Sequence, residues 1–60
     1  MSSPDEMIIF HIERTHETGD MKELIAFIKI YKNVINKENI KIAMNLINEL
    51  ANEDFETMVI

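Results

Sequence analysis

Between Leu24 and Ile35 only Lys29, Lys32 and Asn33 interrupt a run of apolar residues. At about 100° per residue these three fall together on one narrow side of a helix. Leu24, Phe27, Ile28, Ile30, Tyr31, Val34 and Ile35 then cover roughly 200° of the remaining surface, twice the stripe that one packing face needs. A helix of this kind requires neighbours on two sides. Either the rest of the chain supplies them or a second molecule does.

The rest of the chain is short. A lone core in a chain of 60 residues seldom supplies more than about 3–5 kcal/mol. Disulfides and thiolate zinc sites, the usual reinforcements, are excluded because there is no cysteine. With 47% apolar residues and one Gly and one Pro, the composition is that of a folding chain, not a disordered one. Self-association is the reinforcement left open.

Three helix starts are written into the sequence. In Ser3-Pro-Asp-Glu6 a hydroxyl residue precedes a proline and two acids, which suits an N-cap, the first helical position and the positive end of the helix dipole. A helix is expected from Ser3 to about Thr15. The apolar run behind it is ambiguous: Ile8, Ile9 and Ile12 share a helical side, yet Ile8, Phe10 and Ile12 also alternate as a strand would. Thr18-Gly19 should end this element. Asp20, with Glu23 three residues on, opens a second helix expected to reach Lys32 or Asn33. Asn36 caps a third, about 37–51, with Ile35 and Ile40 at the spacing of a hydrophobic staple.

That third helix has the clearest amphipathic pattern. Ile40, Ile42, Ala43, Met44, Leu46, Ile47, Leu50 and Ala51 oppose Lys41, Asn45, Asn48, Glu49 and Asn52. The short corner before it makes helices two and three antiparallel neighbours. The expected core is Leu24, Ile28, Ile35, Ile40, Ala43, Met44, Ile47 and Leu50. Phe27, Ile30, Tyr31 and Val34 form a flank turned away from that seam, an anchor-and-rim surface for a partner or for self-association. The final Met58-Val-Ile either docks on apolar surface or frays.

Charge is unevenly spread. Residues 1–20 hold five acids against Arg14, residues 21–48 hold five lysines against two acids, and residues 49–60 hold four acids and no base. The acidic opening does not resemble a signal peptide, and no apolar run approaches the length of a membrane span. A cytoplasmic protein with no membrane association is expected.

Chemistry finds little to work with. His11 and His16 are five positions apart, about 140° around a helix, whereas a helical zinc pair projects two histidines from one face. There is no glycine-rich phosphate loop and no recognisable nucleophile–histidine pair. Neither enzymatic activity, nor a cofactor, nor a metal, nor a small-molecule substrate is expected. Lys29, Lys32, Lys37 and Lys41 are the one possible basic stripe, but the acidic ends argue against nucleic acid as the partner.

The sequence thus predicts one all-α domain over residues 1–60. It is a small bundle of an antiparallel helix pair (about 20–33 and 37–51) with an N-terminal helix (about 3–15), completed by oligomerisation. The expected role is a non-catalytic protein–protein interaction module: a small acidic regulator, inhibitor or adaptor whose partner is another protein, itself, or both. The alternative is a small DNA-binding transcriptional regulator of ribbon-helix-helix or helix-turn-helix order, and a third reading is an acidic mimic of nucleic acid.

Overall fold

The computed structural model describes the backbone of residues 3–59 and the side chains of residues 3–53. The expected placement of Met58-Val59-Ile60 lies outside the described residues. Helix α1 spans Pro4–Thr18, α2 spans Lys22–Tyr31 and α3 spans Lys37–Val59. The architecture is all-α, and no strand occurs among the described residues. Residues 7–14, which the alternation also allowed as a strand, lie inside α1. A ribbon-helix-helix order therefore lacks its ribbon.

Helices α1 and α3 begin as their first residues dictate. The Glu6 amide donates to the Ser3 hydroxyl at 3.2 Å, and Pro4 occupies the first turn. The Glu38 amide donates to the Asn36 side-chain oxygen at 2.9 Å, which makes Asn36 the cap of α3. Asp20 also accepts a bond, from the Lys22 amide at 3.0 Å, but from just outside the helix, since Met21 occupies the capping position.

Two helices run longer than expected. α1 continues past Thr15 because nothing breaks it before Gly19, whose φ of 74° and whose amide bond to the Thr15 carbonyl close the helix. α3 continues past Ala51 to Val59, since the segment Asn52-Glu-Asp-Phe-Glu-Thr contains neither Gly nor Pro. At 1.5 Å per residue α3 is roughly 35 Å long and α1 roughly 22 Å, so one end of α3 projects past the bundle.

Gly19 faces open space, and a side-chain Cβ placed there would meet no atom within 4 Å. The cost of Gly19→Ala is then purely conformational, about 1 kcal/mol for an L-residue held left-handed. A urea titration followed by circular dichroism should show that loss and no more.

The packing is centred on α1. It lies against both α2 and α3, while the α2 and α3 backbones approach each other least. Ile8 and Leu24 are fully buried, and Phe27, Ile35, Ala43 and Leu46 join them in one cluster. Ile12, Ile28, Ile40, Ile47 and Leu50 pack around it, partly covered. Thr15 is buried too, and its hydroxyl donates to the His11 carbonyl one turn back at 2.8 Å, so its burial strands no polar group.

One polar clamp ties the start of α1 to the start of α3. The Asp5 carboxylate accepts from the Asn36 amide at 2.8 Å and from the Asn39 side-chain amide at 3.0 Å. The Asn36 backbone bond, then the Asn39 bond, hold the Asp5 carboxyl below its ordinary value of 3.8. A depressed carboxyl stabilises the fold above its unfolded-state value, and that contribution disappears as pH falls through the folded-state value. Asp5→Ala should therefore lower Tm at neutral pH, and the gap between variant and parent should close as pH is taken below 3.8.

Candidate functional site

Among the described residues, apolar surface lies on opposite sides of α2. Ile28 and Ile30 are about 160° apart around a helix, and the surfaces take one each.

The first is an aromatic ladder across α1 and α2. The Arg14 guanidinium sits over the Phe10 ring at 5.9 Å, and Phe10 meets His11 edge-on at 5.9 Å. His11 then packs on Phe27 at 4.8 Å, and Phe27 on Tyr31 at 4.7 Å. Helical spacing explains the alignment: Phe27 and Tyr31 are one turn apart on α2, and Phe10 and Arg14 one turn apart on α1. Within the ladder Phe10 is 56% exposed, and beside it Ile30 is 73% exposed and Val34 62%. The buried Nδ1 of His11 has no hydrogen-bond partner, so this imidazole serves as packing between two rings.

Here the expected flank divides. Ile30, Tyr31 and Val34 are exposed, but Phe27 is only 6% exposed. The reason is the position of α1, which presents His11 to the Phe27 face of α2. Phe27 therefore belongs to the core and holds Tyr31 in place from beneath. Phe10, which the sequence placed on the alternation of a possible strand with Ile8 and Ile12, joins the surface instead.

The second surface is a groove between α2 and α3 of about 290 Å³. Ile25 and Ile28 form one wall, Met44 and Ile47 the other, and Lys29 lies at the edge. No polar atom is exposed along it, so nothing there would orient a small polar ligand. Met44, expected in the core, is 43% exposed in this groove. Leu46 takes the buried position instead, because α1 covers α3 from that side and leaves the Met44 side open. Of the other expected core residues, Leu24, Ile35 and Ala43 are buried, and Ile28, Ile40, Ile47 and Leu50 lie at the margin.

A smaller polar hollow of about 100 Å³ lies at the α1–α2 corner, lined by His11, Arg14, Thr15, Thr18, Asp20 and Glu23. Its volume falls well short of the roughly 300 Å³ at which small-molecule pockets begin. His16 is exposed on α1 and does not line this hollow with His11. Among the described residues no group of three His, Asp or Glu side chains is placed to hold a metal ion.

No family model, curated protein or solved structure matches this chain. Among the described residues no helix is long and apolar enough to cross a membrane.

Proposed function

We propose that this chain is a non-catalytic interaction module, a small acidic regulator or adaptor that docks on another protein through the outer side of α2. The observation that carries the reading is the exposed aliphatic pair Ile30 and Val34 beside the stacked rings of Phe27 and Tyr31. Stacking fixes Tyr31 before any partner arrives, so little side-chain freedom is lost on binding. Aromatic anchors bordered by exposed aliphatic residues are the usual energetic centre of a protein interface. Arg14 over Phe10 extends the same strip onto α1 and adds a cation at its far end.

The partner that fits is a protein presenting an apolar helical stripe with an acidic margin, the complement of an aromatic strip ending in Arg14. The test uses the double variant Ile30→Ser/Val34→Ser immobilised beside the parent in extract of the source cells. The variant should keep its helicity and solution mass and lose the proteins the parent retains. Retention of the same proteins by both chains would place the contact elsewhere.

A further inference from the structure

Among the described side chains of α2, α3 and the corner between them, every charge at the register of their groove is a lysine. Lys29 lines the groove itself. Lys32 follows Ile28 by about one turn and Lys22 precedes Lys29 by about two, so both stand on the groove side of α2. Lys37 stands about two turns before Met44, on the groove side of α3. All four are exposed. The acids lie elsewhere. Glu23 lines the hollow beside α1, while Glu38, Glu49 and Glu53 sit about 150–170° around α3 from the line between Met44 and Ile47. Lys41, about 90° from that line, stands outside the set.

We propose that this groove takes an amphipathic helix of another protein, apolar along one stripe and bordered by Asp and Glu. The walls fit the stripe: Ile25 and Ile28 on one side, Met44 and Ile47 on the other, with no polar atom exposed along them. The position fits as well. α1 packs against both α2 and α3, and a helix laid in the groove that α1 leaves open would complete a four-helix arrangement. Lysine stems lie along apolar surface and hold their ammonium groups at its margin, where they meet the bordering carboxylates and select an acidic partner over a basic one.

The spread of the lysines decides among acidic occupants. Lys22 and Lys32 are ten residues apart, about 15 Å along α2. Several carboxylates of a helix match that span, and the single head group of a fatty acid does not. An anionic bilayer is flat where the groove is concave, and the net charge of −5 opposes its approach. Ile30 and Val34 lie on the other side of α2, so the inference does not depend on the docking role proposed for them.

The probe is a fluorescent synthetic helix of about five turns, with Leu at alternating third and fourth positions and Glu on both borders. Its twin carries Lys in place of Glu. Fluorescence anisotropy at low salt should show the full chain binding the Glu peptide about tenfold tighter than the twin, a difference that shrinks as salt is raised. Lys29→Glu/Lys32→Glu should reverse the preference, and Lys41→Glu should leave it in place. Met44→Asp, at a partly exposed position, should weaken binding of both peptides, whereas Ile30→Ser/Val34→Ser should bind as the parent does. Absent or equal binding of the two peptides, a preference that survives Lys29→Glu/Lys32→Glu, or an equal loss with Lys41→Glu would each overturn the inference. So would a chain that sediments at twice its 7.0 kDa mass and excludes the peptide, or one that binds phosphatidylglycerol vesicles and not the peptide. The charge reversal is made at exposed positions, so it decides the matter whatever Met44→Asp does to folding.

Discussion

Ile8→Ala is expected to unfold most of the chain at room temperature. Ile8 is fully buried, and it lies on the one helix that packs against both of the others. Emptying such a site costs about 2–5 kcal/mol, according to how far the surroundings collapse. The whole core of a chain this small supplies about 3–5 kcal/mol, so little is left. Where in that range the cost falls depends on how far the α2 and α3 side chains that share the Ile8 cluster close over the space. Urea titration followed by circular dichroism should show a midpoint near zero. Met44→Ala, at a residue of similar hydrophobicity on the open groove, should leave single-chain stability far less affected. An Ile8→Ala chain as stable as the parent would mean that α1 is not the centre of the packing.

Phe27→Ser and Ile30→Ser should behave oppositely, although both positions fall on the apolar arc of α2. Removing Phe27 empties a site walled by His11 and Tyr31 and costs about 3–5 kcal/mol, as for other buried aromatics. Ile30 is 73% exposed, and substitutions at such sites usually change stability by about 0.5 kcal/mol or less. Thermal melts of the two variants separate these outcomes directly. Equal effects would show that the apolar arc of α2 is covered uniformly, with no distinction between a core side and an open one.

The starts of α1 and α3 and the end of α1 were legible because capping is local. Ser3, Asn36 and Gly19 each act through hydrogen bonds or dihedral angles within four residues of themselves. What covers an apolar face is not local. The arcs of α2 and α3 are both wide enough for two neighbours, and periodicity does not say from which side α1 approaches. Met44 and Leu46 lie on the same broad arc, and Phe27 and Ile30 share the other; the direction of α1 alone decides which of each pair is buried. The central role of α1 was itself obscured by its stripe, in which Ile8 and Ile12 alternate with His11 and Thr15. Thr15 tolerates burial because its hydroxyl bonds within its own helix. That contact carries no mark in hydropathy. The groove followed the same logic: its four apolar residues were visible, but the gap between them was not.

The shared helix also bears on the order in which the chain assembles. α1 can meet α2 through contacts such as His11–Phe27, roughly 16 positions apart in sequence, or meet α3 through the Asp5–Asn36 clamp, 31 positions apart. Closing the longer loop costs only about 0.6 kcal/mol more, since loop entropy grows with the logarithm of length. Neither docking event has to wait for the other. Loop closure thus gives neither route a large advantage, and a substitution on α1, through which both pass, is expected to slow folding more than one confined to α2 or α3, as stopped-flow refolding would show.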